Sequence, residues 1–274
     1  MPRLAVLGYP VSHSRSPAMQ NAALAELGLA DRWSYEAIEV APDRFAALVA
    51  SLPGDDYAGV NVTVPHKLAA LKAAGEASDS ARAIGAANVL SFPGEGRVVA
   101  ENTDAAGIEA AIGEPLAGRR ALVIGAGGSA RAAIWALREA GAGVSVWNRT
   151  GSRAEAVAAE LRVEAVATAK PPVAGDYELI LNATTLGLEQ ANSRPAAPGD
   201  LKQLPFDADA IEARQIVVDL VYGSHETALA SQARERGARV IDGLEVLVHQ
   251  GAASLRIWTG LTPPIETMRQ AARE

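Results

Sequence analysis

An α/β fold is what this sequence predicts, and three observations carry the prediction. Short apolar runs alternate with longer alanine- and leucine-rich stretches, the pattern of strands followed by helices. The run Ala121-Leu122-Val123-Ile124 breaks at Gly125-Ala126-Gly127-Gly128-Ser129-Ala130 and continues into Ala132-Ala133-Ile134-Trp135-Ala136-Leu137, a strand, a glycine turn and a helix. Polar residues gather after several of the apolar runs, where open α/β sheets bind ligands.

Residues 4–7 read as a buried strand ending at Gly8-Tyr9-Pro10. The polar loop behind it carries Ser14, Ser16 and Pro17 into a helix, with Ser16 at the N-cap and Pro17 in the first turn. Two hydroxyls spaced i, i+2 beside a helix N-terminus also make a carboxylate clamp. A strand over 33–39 and a helix over 42–52 follow. From Val60, alternation places Val60, Val62 and Val64 on one face and Asn61 and Thr63 on the other. Pro65 stops this strand and Lys67 opens a helix, its ammonium directed away from a core and contributing little to the fold. Asn61, Thr63 and Lys67 at a strand's carboxyl end fit a ligand site; they also fit a solvated polar face.

A short helix over 78–83, then Gly85-Ala86-Ala87-Asn88 and a hairpin turn over 92–97, lead to a strand ending at Glu101-Asn102-Thr103-Asp104. Asp104 suits a helix N-cap or a site carboxylate. Past the glycine turn come a strand over 143–147, a helix over 152–161 and a strand over 177–182 that ends in Asn182-Ala183-Thr184. Residues 189–209, rich in Pro, Ala and Gly, read as a surface excursion. A strand over 215–219 leads to Leu220-Val221-Tyr222, followed by a helix over 227–236 and a strand over 238–241. Helices over 245–260 and from 263 onward close the chain.

The glycine turn has the form G-x-G-x-x-A, in which Gly125 permits the tight turn and Gly127 lets the backbone approach a pyrophosphate. The helix N-terminus behind it offers free N–H groups and a positive dipole end. The next strand ends at Asn148-Arg149-Thr150, with Asn148 lying 21 positions past Gly127. NAD sites place a carboxylate there for the ribose 2′-OH. Here stand Asn148 and Arg149, with Arg153 a turn later, and a planar guanidinium suits a 2′-phosphate. The cofactor expected is NADP.

Composition removes other classes. The 274 residues, 49% hydrophobic, suit one large or two ordinary domains. The absence of cysteine excludes disulfides, thiol nucleophiles and cysteine metal sites. His13, His66, His225 and His249 show no helical metal-ligand spacing, and no metal is expected. No G-x-S-x-G elbow accompanies His13, Ser14 and Ser16, which argues against a hydrolase. A net charge of −7 argues against a nucleic-acid surface while leaving room for an anionic small substrate. No stretch reaches membrane-span length and no signal pattern opens the chain, so a cytoplasmic protein is expected.

Several pieces carry a resemblance. They are Ser14-x-Ser16-Pro17 with Asn21, Asn61-Val62-Thr63-x-Pro65-x-Lys67, Gly85-Ala86-x-Asn88 and Asn102-Thr103-Asp104-x-x-Gly107. Further along stand Gly125-Ala126-Gly127-Gly128, Asn148-Arg149-Thr150, Asn182-Ala183-Thr184, residues 219–222, Gly243, Gln250 and Trp258-Thr259-Gly260. In order and spacing they resemble the shikimate dehydrogenase family along nearly the whole chain. The chain departs from that family's usual residues at Gln20, Thr185, Leu188 and Ser224.

The resemblance implies reversible NADPH reduction of 3-dehydroshikimate to shikimate. It implies a two-lobed fold: an α/β substrate lobe of residues 1–102 completed by 243–274, and a Rossmann-like NADP lobe of 103–242, with the site between them. Ser14 and Ser16 would hold the substrate carboxylate, with Thr63 nearby. Asn61, Lys67, Asn88, Asp104 and Gln250 would bind ring hydroxyls, and Tyr222 would line the pocket. Gly125, Ala126, Gly127, Gly128 and Ser129 would hold the pyrophosphate, and Asn148, Arg149, Thr150 and Arg153 the 2′-phosphate. Thr184, Leu220 and Gly243 would border the nicotinamide, and Asp79 matches a family position beside the cofactor. Lys67 and Asp104 together form a proton-handling pair. The expected assembly is a monomer or homodimer without nucleic-acid or membrane partners. The alternatives are a paralogue acting on quinate or a related cyclic acid, and a non-catalytic NADP-binding sensor, against which the Lys67/Asp104 pair argues.

Overall fold

Parallel strands require crossovers, and here helices supply them. β1 (Arg3–Gly8) returns through α1 (Ser16–Glu26) to β2 (Ser34–Glu39), and α2 (Phe45–Ser51) leads on to β3 (Tyr57–Val62). Then come α3 (Lys67–Ala73), β4 (Glu76–Ala77), α4 (Asp79–Ile84), β5 (Val89–Ser91), β6 (Val99–Glu101) and α5 (Asp104–Ile112). The sheet runs β2-β1-β3-β5-β6-β4, and only β5 is reversed. That reversal brings the carboxyl ends of β1, β3 and β6 and the amino end of β5 to one edge.

The structure, a computed structural model, describes residues 2–274. Two units are present, Met1–Ile108 with Leu247–Glu274, and Glu109–Val246. The first unit's core sets Phe45, Val49 and Leu52, at helical spacing, against Leu7, Val60 and Val62 of the sheet. His66 belongs to the same packing: its ring stacks on Phe45 at 4.5 Å, and its Nε2 lies 2.8 Å from the Val40 carbonyl. Burial pulls its pKa down.

Three local expectations are corrected. β3 ends at Val62, and Val64 is 48% exposed, because the chain turns into the Pro65 loop before Val64 can join the sheet face. Ser16 lies inside α1 with Arg15 at the N-cap position, and the Ser14 Oγ accepts the Ser16 N–H at 3.3 Å. Asp104 likewise begins α5, and the Asn102 Oδ1 accepts the Ala105 N–H at 3.3 Å in the capping role.

The second unit contains β7 (Arg120–Ile124), α6 (Gly128–Glu139), β8 (Gly143–Trp147), α7 (Gly151–Leu161) and β9 (Glu164–Ala165). It continues through β10 (Leu179–Asn182), α8 (Leu188–Ser193), β11 (Ile216–Asp219), α9 (Ala228–Glu235) and β12 (Arg239–Ile241). All six strands are parallel, in the order β12-β11-β10-β7-β8-β9. The order reverses between β7 and β10, the switch point of a doubly wound Rossmann-like sheet. Leu122, Ile124, Ile180 and Val217 pack with Leu229 and Ala233 of α9. The expected surface excursion over 189–209 is partly core: Ala191 of α8 is fully buried, and Phe206 and Ala208 join the apolar cluster. Their burial outweighs the breaker-rich composition around them.

The division between units falls inside α5 and inside α10 (Gly243–Thr259), and α11 (Ile265–Arg273) closes the first unit. Among the described residues no helix is long and apolar enough to cross a membrane.

Candidate active site

At the strand-end edge of the first unit, Lys67 Nζ donates to Asp104 Oδ2 at 2.5 Å. Lys67 opens α3 just past β3, and Asp104 opens α5 just past β6, so the parallel course of the two strands delivers both. The side chains are 11% and 9% exposed, so the alternative of a solvated polar face does not hold for Lys67, and its burial bears against a side chain that contributes little to the fold. A buried ion pair is held by its geometry and remaining hydrogen bonds. Asn88 supplies one: its Nδ2 donates to Asp104 Oδ1 at 3.0 Å, and also approaches Thr103 Oγ1 at 2.9 Å and Gln250 Oε1 at 3.1 Å. Its Oδ1 accepts the Thr103 N–H at 2.7 Å.

Asn61 is engaged at both ends. Its Oδ1 accepts from the Tyr35 hydroxyl at 2.8 Å, and its Nδ2 donates to Ser254 Oγ at 2.9 Å and the Asn88 carbonyl at 3.2 Å. Gln250 and Ser254 lie one turn apart on α10, and Ser254 also contacts Thr103 Oγ1 at 3.0 Å. α10 reaches this position because Gly107 leaves room: a Cβ there would lie 2.7 Å from the Gln250 Cβ. Gln20 is buried and donates from Nε2 to the Gly251 carbonyl at 3.0 Å.

Ser14 and Thr63 leave the same edge. Thr63 N–H donates to the Leu7 carbonyl at 2.8 Å, and a Cβ on Gly8 would meet the Thr63 methyl at 2.5 Å, so only glycine admits this approach. Ser16 is buried and Ser14 half-buried. Asp79, in the first turn of α4, is fully exposed and pairs with Arg82 at 2.8 Å.

In the second unit the glycine turn lies at the switch point. Gly125 has φ +119°, and a Cβ there would come within 3.0 Å of the Ala183 carbonyl oxygen. Gly127 is the N-cap of α6, so no side chain caps the helix start, and a Cβ there would enter open space. Ala126, Gly128 and Ser129 complete the turn half-buried. β8 ends beside it, the Gly125 N–H donating to the Trp147 carbonyl at 2.8 Å. Asn148 Nδ2 donates to the Thr150 carbonyl at 3.0 Å and shapes the loop before α7. Arg149 and Arg153 are exposed, and neither guanidinium has a hydrogen-bond or ion-pair partner among the described residues. An open glycine cradle, an uncapped helix start and two uncommitted guanidinium groups fit a phosphorylated dinucleotide.

The loops after β10 and β11 meet at a buried carboxylate. Asp219, 1% exposed, accepts from Asn182 Nδ2 at 2.9 Å, the Val221 N–H at 3.1 Å and Thr227 Oγ1 at 2.6 Å. Burial pushes its pKa up to about 6 despite these three donors. Thr184 is pinned to Asn182 Oδ1 through its N–H at 3.1 Å and hydroxyl at 2.7 Å. A Cβ on Gly243 would lie 2.6 Å from the Leu220 carbonyl oxygen, so this contact requires glycine. Tyr222 follows on the same loop, half-buried.

The sequence motifs assign no role to Tyr35, Ser254, Thr103 or Asp219. The i, i+4 spacing of Gln250 and Ser254 is a signal for Ser254. Tyr35 acquires its partner through sheet pairing, and Thr103 meets Asn88 beside the β5–β6 pairing and Ser254 on α10.

Residues 6–90 match the family described as the shikimate dehydrogenase substrate binding domain, and residues 108–185 the family described as shikimate / quinate 5-dehydrogenase. Residues 243–273 match the shikimate 5'-dehydrogenase C-terminal domain. A shikimate dehydrogenase (NADP(+)) of Thermus thermophilus is 44% identical, covering 100% of this chain and 98% of that protein. A crystal structure of shikimate 5-dehydrogenase from the same species, in complex with NADP(H) and shikimate, is similar at TM-score 0.87 and 42% identity, covering 100% of this chain and 99% of that one. Shikimate dehydrogenase from Aquifex aeolicus gives TM-score 0.88 at 32% identity, covering 100% of this chain and 98% of that one.

Proposed function

The chain belongs to the shikimate dehydrogenase family, and we propose that Lys67 and Asp104 handle the proton in its reaction. That reaction is the reversible NADPH-dependent reduction of 3-dehydroshikimate to shikimate in aromatic amino-acid biosynthesis. The observation that carries the residue assignment is the buried Lys67–Asp104 pair within the Asn88–Gln250 network. Bound NADPH supplies a hydride to the substrate carbonyl carbon. Charge then develops on the carbonyl oxygen, where the Lys67 ammonium stabilises it and delivers a proton. Asp104 orients Nζ through Oδ2, and Asn88 holds Oδ1 so that the carboxylate cannot rotate away.

Ser14, Ser16 and Thr63 bind the substrate carboxylate. Asn88 and Gln250 contact ring hydroxyls, and Tyr222 is assigned to substrate binding. Asn61, committed at both ends, acts mainly by fixing Asn88 and Ser254. The turn 125–129 holds the pyrophosphate, and Asn148, Arg149, Thr150 and Arg153 the 2′-phosphate. Thr184, Leu220 and Gly243 border the nicotinamide, and Asp79 stands near the cofactor. The first unit is thus the substrate body and the second the cofactor body. The protein works in the cytoplasm as a monomer or homodimer. Steady-state rates with shikimate and quinate, each with NADP and NAD, test the reading: shikimate with NADP is expected to lead, and no turnover of shikimate overturns it.

Two further results are expected. Losing charge-assisted bonds to a phosphate costs on the order of 1.5–3 kcal/mol each, so Arg149→Ala lowers catalytic efficiency with NADP by roughly ten- to a hundredfold and leaves that with NAD nearly unchanged. Equal efficiency with both cofactors in the unmodified protein contradicts the assignment. Ser14→Ala removes the acceptor of the Ser16 N–H and lowers stability by about 0.5–1.5 kcal/mol, the net worth of one such hydrogen bond. As part of a carboxylate clamp it also raises KM for shikimate, and the methyl ester of shikimate is a poor substrate. Unchanged kinetics would return Ser14 to a purely local role.

A further inference from the structure

We infer that Asp219 is a positioning residue of the cofactor site, holding in register the two loops that border the nicotinamide. The inference rests on the placement of Thr184 and Leu220 proposed above. Asp219 ends β11 and is shut away from solvent. A carboxylate in that position is costly unless its oxygens are met by donors, and the donors that meet it lie in the loops and cap around it. From one side Asn182 Nδ2 reaches Oδ1 at 2.9 Å, across the β10–β11 boundary. This contact decides which way the Asn182 amide faces. With Nδ2 committed to Asp219, the Asn182 oxygen must point at Thr184, whose N–H and hydroxyl it accepts at 3.1 Å and 2.7 Å. The Thr184 hydroxyl oxygen in turn accepts the Leu186 N–H at 3.0 Å, so the turn over 182–186 is wired back to one carboxylate.

From the other side the same Oδ1 accepts the Val221 N–H at 3.1 Å, and the Leu220 N–H donates to the Asn182 carbonyl at 3.0 Å. Leu220 is thereby clamped between Asp219 and β10, against the glycine contact at Gly243. Thr227 fastens Oδ2 at 2.6 Å while capping α9 through the Ala230 N–H at 3.2 Å. One side chain therefore sets Thr184, Leu220 and the start of α9 together. Asparagine at this position retains an acceptor for Asn182 and Val221 and turns an amide donor toward the Thr227 hydroxyl. Alanine retains neither.

The test combines NADPH titration by cofactor fluorescence with steady-state KM for NADP and for shikimate. In Asp219→Ala the Kd for NADPH and the KM for NADP are expected to rise about tenfold or more, the change that accompanies a lost buried hydrogen bond, with KM for shikimate within about threefold of wild type. Asp219→Asn is expected to recover most of the NADPH affinity. If Asp219→Ala does not fold, Asn182→Ala carries the same test, because it releases Thr184 and leaves Asp219 its Val221 and Thr227 donors. A folded variant with a lower melting temperature but wild-type NADPH affinity overturns the inference and leaves Asp219 a structural role. Failure of the wild-type protein to bind NADPH overturns the cofactor reading beneath it.

Discussion

Replacing Lys67 with alanine is expected to lower turnover by at least about a hundredfold while the folded variant keeps its affinity for NADPH, because a positioned acid contributes about 10²–10⁴ in rate. The reduction of a carbonyl leaves charge on oxygen, and among the described residues the hydrogen-bonded partners around Lys67 are Asp104, Asn88, Asn61, Tyr35, Thr103, Gln250 and Ser254, none of them a cation. The variant also loses stability. Removing one partner of a buried pair leaves a carboxylate facing only Asn88, a change that typically costs about 3–5 kcal/mol. Lys67→Met keeps most of the apolar stem and separates lost packing from lost charge. Near-normal turnover in either folded variant removes Lys67 from the mechanism.

Asp104→Asn is expected to be slow as well, by about tenfold to a hundredfold, since an amide can still meet Asn88 but holds the ammonium less firmly. The loss falls mainly on turnover, because Asp104 contacts Lys67 directly and orients the group that delivers the proton. Combined with Lys67→Ala, the second substitution adds little, because residues that act as one unit show strongly non-additive losses. A double variant whose loss in kcat equals the product of the two single losses contradicts the paired role.

The parts of this arrangement readable in the sequence are those fixed by local chemistry. Gly125 has φ +119° beside the Ala183 carbonyl, and a turn that no other residue tolerates leaves a mark at a known offset from strand and helix. Arg149 stands out because the residue type at that offset discriminates between phosphate and hydroxyl. Lys67 and Asp104 could be placed at strand ends, but their contact depends on β3 and β6 running in the same direction with β5 reversed between them. Burial of the pair was hidden for the same reason.

Hydroxyls and short edges stayed hidden too. Tyr35 reaches Asn61 across the β1–β2–β3 sheet, and Ser254 arrives on α10 from a distant part of the chain. β4 and β9 are two residues long and too short to show a period. α8 lies in a stretch whose Pro and Gly content suggests a loop, yet the burial of Ala191 draws it into the core. Asp219 was visible within a motif, but its three donors come from separate points in the chain.

The central claim, that Lys67 delivers the proton from a carboxylate-held ammonium, is tested most directly by single-turnover oxidation of NADPH in Lys67→Met. With saturating 3-dehydroshikimate and enzyme in excess, the loss of NADPH absorbance is expected to slow by at least about a hundredfold relative to wild type at an unchanged Kd for NADPH. A wild-type rate constant in the folded variant contradicts the claim and moves the proton to another group.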